Sequence, residues 1–156
     1  MAQITSEHYA SVYRFCYRQL GPDRASDAAQ ETFLNAQRRI SSYNGTSSMR
    51  TWLFGIALNC CRNMMRKHRM EANYEHLWNE KAQGINETGL VNRQALVASL
   101  KQLPNELLEV VILKEVEGMT YDEVASALGI PSGTVKSRLH TAFVRLREAL
   151  TAEITK

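Results

Sequence analysis

Residues 123–139, EVASALGIPSGTVKSRL, carry the pattern on which the fold turns. Helical apolar spacing stops at Gly129-Ile130-Pro131 and resumes at once in a stretch that holds Lys136, Arg138 and His140. With Tyr121 as the first position, Ala125 falls where two helices must approach closely. Gly129 falls where a left-handed turn residue is needed, and Val135 where the second helix must bury a β-branched side chain. Val124, Leu128, Ile130 and Leu139 supply the surrounding core. These separations are those of a helix-turn-helix. The competing interpretation is a tight helical hairpin whose second helix is merely solvated.

On the second helix, Val135, Leu139, Ala142 and Leu146 share one face by helical spacing and are expected to pack inward. Gly133, Lys136, Ser137, His140 and Val144 are then expected to face out. Short and basic side chains near a helix start suit a major groove, where they reach base edges. Ser132 is placed as the N-cap, with Thr134, Arg138 and Thr141 flanking the reading face where phosphate contacts would fix register.

Working outward, the chain of 156 residues is long enough for one modest core or two small ones. Its net charge of +3 says less than the distribution of charge. From Thr32 to Met70 there are seven Lys or Arg residues (Arg38, Arg39, Arg50, Arg62, Arg66, Lys67, Arg69) and no Asp or Glu. From Ser132 to Arg147 there are four, again without an acid. Solvated helix faces usually mix signs, so two acid-free blocks point to two footprints on a polyanion.

Helical periodicity dominates and no alternating strand pattern stands out, which predicts an all-α chain. Helices are expected over about 5–20, 23–40 and 48–68, with the polar loop SSYNGTSS before the third. Between Glu71 and Asn92 the pattern loosens, with four acids and two glycines. Helical signals return from Arg93, punctuated at Leu103-Pro104, Gly118 and Gly129. The expected organisation is two small helical domains, 1–70 and 93–156, joined by a flexible linker at 71–92, the second containing the helix-turn-helix.

Cys16, Cys60 and Cys61 lack CxxC spacing and a neighbouring His cluster, so they read as small buried hydrophobes in a reducing compartment. No metal site is expected. No run approaches the roughly 18 apolar residues that span a bilayer, and the N-terminus lacks the basic and apolar regions of an export signal. A cytoplasmic protein without membrane insertion is the expectation. No GxSxG, phosphate-binding glycine loop or HExxH is present, so no catalytic residue and no cofactor are expected.

In the first half, MRTWLFGIALNCCRNMMRKHR puts Leu53, Ile56, Ala57, Cys60 and Met64 on a core stripe. Trp52, Asn59, Asn63 and Arg66 lie on the other side, with Arg62 beside them. Guanidinium groups, amides and an aromatic on one face, beside a polar loop with Tyr43 and Asn44, suit a single nucleic-acid strand. Charges follow the backbone, flat groups stack on bases and amides read unpaired edges. Trp52 can equally be a core residue closing the domain.

The pieces DAAQETFLNAQRRI, YNGTSSMRTWLFGIALN and LPNELLEVVILKEVEGMTYDEVASALGIPSGTVKSRLHTAFVRLREAL, in that order, resemble bacterial sigma factors of the extracytoplasmic-function (ECF) type and cover most of the chain. The resemblance implies a first domain that recognises and opens the minus-ten promoter element and a second that reads the minus-thirty-five element. It implies RNA polymerase core, through its β′ and β subunits, and promoter DNA as partners, and control by an anti-sigma factor. By position it implies that Asp27, Gln30, Glu31 and Phe33 dock on the β′ coiled coil. Tyr43, Asn44, Gly45 and Thr46 correspond to the loop that captures a flipped base. Arg50, Trp52, Asn59 and Asn63 correspond to the melting and strand-binding surface, next to the Arg62 and Arg66 that helical spacing puts on the same side. Lys136, Ser137 and His140 correspond to base-reading positions. Gln37 departs from the family, standing where many members have Trp, and the loop YNGTSSM is individual.

Overall fold

The computed structural model describes residues 1–68 and 87–154. Of the expected linker, residues 71–86 lie outside the described residues, as does Arg69 of the first basic block. All regular structure among the described residues is helical, and it divides into two units, Met1–Asn73 together with Ser126–Gly129, and Tyr74–Ala125 together with Ile130–Lys156.

The first unit is built from α1 (Ala2–Leu20), α2 (Ala25–Arg39) and α3 (Met49–His68), each packed on the other two. α1 starts three residues earlier than its apolar pattern predicts, because the Met1 carbonyl accepts the Thr5 N–H at 2.8 Å. α2 buries Phe33 together with the small side chains Ala25, Ala28, Ala29, Thr32 and Ala36, which let its neighbours approach closely. Val12, Phe15 and Cys16 of α1 meet Leu53, Phe54, Ala57 and Cys61 of α3 in the buried centre. Phe15 and Phe54 stack with ring centroids 4.7 Å apart. Such a pair adds about 0.5–1.5 kcal/mol beyond its buried area. Thr32 satisfies its hydroxyl internally, donating to the Ala28 carbonyl at 2.7 Å.

The second unit contains α4 (Glu87–Gln102), α5 (Asn105–Val111), a π-helical turn over Ile112–Val116, α6 (Tyr121–Leu128) as far as Ala125, and α7 (Ser132–Ile154). α4 begins six residues before the apolar pattern resumes at Arg93, and Gly89 within its first turn conceals that start from a propensity reading. α7 packs on both α4 and α5. Leu107, Leu108, Val110, Ile112, Leu113, Met119, Val124, Val135, Leu139 and Ala142 fill the centre. Pro104 opens α5: its carbonyl takes the N–H groups of Leu107 and Leu108, each at 3.0 Å.

Candidate nucleic-acid interface

The turn between α6 and α7 follows from three residues. Gly129 adopts φ 68°, a left-handed conformation that costs a residue with a Cβ about 1–2 kcal/mol. Its successor Ile130 donates its N–H back to the Ala125 carbonyl at 3.1 Å, closing the end of α6. The Pro131 carbonyl then accepts from Thr134 at 3.0 Å and Val135 at 3.2 Å, so the capping position belongs to Pro131. Ser132 is the first helical residue and not the N-cap, because proline's fixed φ and free carbonyl already start the helix. α6 is started by a device the apolar pattern does not announce. Thr120 and Glu123 form a reciprocal capping box: the Thr120 N–H donates to Glu123 Oε2 at 2.9 Å, and the Glu123 N–H donates to Thr120 Oγ1 at 3.1 Å.

Along α7 the expected division of faces is present. Val135, Leu139, Ala142 and Leu146 are buried, whereas Gly133, Lys136, Ser137, His140 and Thr141 are exposed. Val144 departs from the expectation and is half-buried, as is Thr134. The Ser137 hydroxyl donates to the Thr134 carbonyl and that of Thr141 to the Ser137 carbonyl, both at 3.0 Å, which leaves their oxygen lone pairs facing outward. Arg138 lies lower on the helix and its guanidinium reaches Glu106 of α5 at 3.8 Å. Glu106 is 75% exposed, so this pair is screened and weak, and it leaves Arg138 able to turn to another anion. Lys136 leans toward α6, its ammonium 5.4 Å from the centre of the Tyr121 ring.

In the first unit the loop before α3 is organised by local hydrogen bonds. Asn44 Oδ1 accepts from the backbone N–H of Thr46 at 3.1 Å and from its hydroxyl at 2.7 Å, across Gly45 at φ 74°. Tyr43 donates its hydroxyl to the Ser47 carbonyl at 2.5 Å. Its ring sits 5.2 Å from that of Trp52 at a tilt of 44°. Trp52 is therefore half-buried against the loop, with part of its ring open. Ser48 caps α3, its Oγ accepting the Thr51 N–H at 3.1 Å. Arg50 places its guanidinium 4.4 Å over the Phe54 ring. One turn further, Asn59 and Asn63 are exposed and Arg62 donates to Asn59 Oδ1 at 3.4 Å, with Arg66 exposed below. The opposite face holds the expected Leu53, Ile56, Ala57 and Cys60, joined by Phe54, Leu58 and Cys61, while Met64 is only half-buried.

On α2, Asp27, Gln30 and Glu31 are exposed. Phe33 does not join them. It is 8% exposed and stacks on Tyr9 with centroids 5.9 Å apart, since its position in the helical repeat turns it toward α1. The exposed apolar residue of this surface is instead Leu34, at 55%, a residue singled out by no pattern because a lone exposed Leu is common. Gln30, Leu34 and Gln37 border a groove of about 300 Å³ floored by Tyr9 and Phe33.

The cysteines are all buried and free. Burial pushes the Cys60 thiol up from its ordinary value, against the opposing effect of hydrogen bonds from Asn35 and Thr32. Cys61 is pushed up further, first by its hydrogen bond with Cys16 and then by burial. Thiolates are thus disfavoured at both, the opposite of a reactive cysteine. Among the described residues no group of three or more His, Cys, Asp or Glu side chains could hold a metal ion, and no helix is long and apolar enough to cross a membrane.

Two family models match the chain: Sigma-70 region 2 over residues 4–71, and Sigma-70, region 4 over residues 93–146. The chain is 32% identical to the ECF RNA polymerase sigma factor SigW of Bacillus subtilis over 166 aligned positions, covering 96% of this chain and 88% of that protein. The chain belongs to the ECF RNA polymerase sigma factors. It is also 33% identical to the ECF RNA polymerase sigma factor SigE of Mycolicibacterium smegmatis, spanning 60% of that longer protein and 95% of its own length. Among solved structures it is similar to the sigma factor RpoE of Bartonella quintana, seen in complex with the anti-sigma factor NepR. The TM-score is 0.66, with 25% identity and 96% of each chain covered. As an ECF sigma factor the chain is a transcription initiation factor, of the class that binds RNA polymerase core and directs it to promoters.

Proposed function

We propose that the two units of this sigma factor grip one promoter at separate elements. Residues 1–70 bind polymerase core and hold the melted minus-ten strand, and the helices from Glu87 onward, which include the helical residues 87–92 expected to be linker, read the minus-thirty-five duplex. The observation that carries this is the surface of α3, where Asn59, Asn63 and Arg66 are exposed on the helix that follows a loop ordered by Asn44 across Gly45. An amide edge can pair with an unstacked base, and the Tyr43–Trp52 pair offers a partly open aromatic face beside it. Arg50, Arg62 and Arg66 would follow the phosphates. Capturing a base contributes about 1–3 kcal/mol, against a few kcal/mol to unstack and flip it. One or two captured bases therefore suffice to hold a bubble open once core contacts contribute.

In the second unit, Ser137 and His140 would meet base edges from the exposed face of α7, with Ser132, Thr134, Arg138 and Thr141 along the phosphates. Asp27, Gln30 and Glu31 form the acidic and amide face offered to a basic surface of core, supported from beneath by Phe33. Such a protein acts in the cytoplasm, without catalytic residue or cofactor of its own. Restraint comes from an anti-sigma factor, by similarity to the Bartonella RpoE complex with NepR.

The division of labour is tested on holoenzyme assembled from purified core and this chain. Asn59→Ala is expected to leave closed-complex affinity near wild type and to reduce permanganate reactivity of minus-ten thymines several-fold. Equal losses in both measurements would reject strand capture by α3.

A further inference from the structure

Asn44 is followed by glycine, and no other asparagine of the chain is. In such a pair the main-chain nitrogen of the glycine can close a five-membered ring on the side-chain carbonyl carbon of the asparagine. Glycine hinders that closure least, because it has no Cβ. Here the approach is open: both residues are exposed, and nothing lies within 4 Å of a Cβ built on Gly45.

The deciding feature is Thr46. Asn44 Oδ1 accepts from the Thr46 N–H at 3.1 Å and from the Thr46 hydroxyl at 2.7 Å. These bonds reach across Gly45, so the side-chain amide is folded back over the peptide whose nitrogen must attack. When that nitrogen bonds to Cγ, negative charge develops on Oδ1. Two donors already aimed at that oxygen stabilise the charge as it forms, in the manner of an oxyanion hole. In a free Asn-Gly segment water has to reorganise to do the same; in this loop the donors are in place beforehand.

We infer that Asn44 is a self-modification site, converted through Gly45 with the assistance of Thr46, and that its conversion ends strand capture by this loop. The Gly45 nitrogen gives its proton to hydroxide and forms a bond to Asn44 Cγ. The side-chain nitrogen then leaves as ammonia, taking a proton from water and regenerating the hydroxide, and a cyclic imide remains. Water opens the imide: breaking the bond from Cγ to nitrogen leaves aspartate at this position, and breaking the main-chain bond leaves isoaspartate. The sum is asparagine plus water giving either acid plus ammonia, with no oxidant, reductant or cofactor. Either product adds a carboxylate to a stretch, Thr32 to Met70, that otherwise holds no acid. That charge repels the phosphates of a bound strand and replaces an amide edge that could pair with a base. This consequence rests on the proposed capture of a minus-ten base by the loop; the conversion itself does not.

The test ages the full chain in buffer at neutral and at mildly alkaline pH and follows Asn44 by peptide mass spectrometry. Conversion is expected to be several-fold faster at the higher pH, since the attacking nitrogen must lose its proton. Thr46→Val removes the hydroxyl donor and is expected to slow conversion several-fold, while Thr46→Ser keeps it near the parental rate. A merely loosened loop converts faster, so a Thr46→Val chain that converts as fast as the parent, or faster, would overturn the inference. The consequence is read separately, as binding of Asn44→Asp holoenzyme to a single-stranded minus-ten oligonucleotide. Several-fold weaker binding is expected, with assembly onto core as in the parent. If Thr46→Val slows conversion but Asn44→Asp holds the strand as the parent does, the modification site stands, and its consequence falls together with strand capture by the loop. If Asn44→Asp loses the strand while Thr46→Val converts at the parental rate, strand capture stands and the assisted conversion falls.

Discussion

Gln30 and Phe33 are three residues apart on α2, and the first is exposed while the second is buried against Tyr9. Resemblance to a family motif assigns both to the polymerase surface, because a motif records which residues recur and not which way each one faces. Burial separates their roles. Phe33→Ala removes a stacked ring from the α1–α2 contact and is expected to cost about 3–5 kcal/mol of stability, read as a lower urea midpoint. Gln30→Ala is expected to stay within about 0.5 kcal/mol of wild type in the same melt and to weaken binding to core in a pull-down. A Gln30 variant that melted early and bound core normally would exchange the two roles. The same distinction explains what was legible at single positions. Val135, Leu139 and Ala142 were readable as buried because helical spacing dictates their face, whereas the lean of Lys136 depends on an aromatic fifteen residues away in sequence and leaves no periodic trace.

At the level of elements, the α6–α7 turn was the most readable part of the chain because its geometry demands particular residue types. Gly129 is the clearest case. At φ 68° no backbone neighbour crowds a Cβ built there, so the demand for glycine comes from the dihedral angle alone. Gly129→Ala is expected to destabilise the second unit by about 1–2 kcal/mol, and Gly129→Asn by less, since a short polar side chain tolerates the left-handed region. Circular dichroism melts of the three proteins would show the order glycine, asparagine, alanine, and an alanine variant as stable as the parent would mean that the turn is held by other contacts. Other elements were hidden for equally physical reasons. The start of α4 was obscured by Gly89, and the π turn at Ile112–Val116 uses ordinary helix-forming residues, so nothing in ILKEV distinguishes it from a continued α-helix. The Thr120–Glu123 capping box was within reach of the four-residue signature, but apolar spacing alone draws attention to Tyr121.

Across the whole molecule, what organises function is that the two acid-free basic stretches fall in different units, one along α2 and α3 and one on α7. A single continuous basic face would make every charge contribute to every form of DNA. Two separate footprints predict a double dissociation. On duplex carrying only the upstream element, His140→Ala holoenzyme is expected to lose about 1 kcal/mol or more of binding while Asn63→Ala is near wild type. On a single-stranded minus-ten oligonucleotide the order reverses, because unpaired bases are held by amides and aromatics of α3 and not by a duplex-reading helix. On the complete promoter the losses of the double variant should add to within about 0.5 kcal/mol, as for distant sites without shared partners. Competition binding of the four holoenzymes to the three DNA forms measures every one of these quantities. If His140→Ala weakened the single strand as much as the duplex, the α7 face would not be a dedicated duplex reader, and the separate-footprint account of the charge distribution would fall with it.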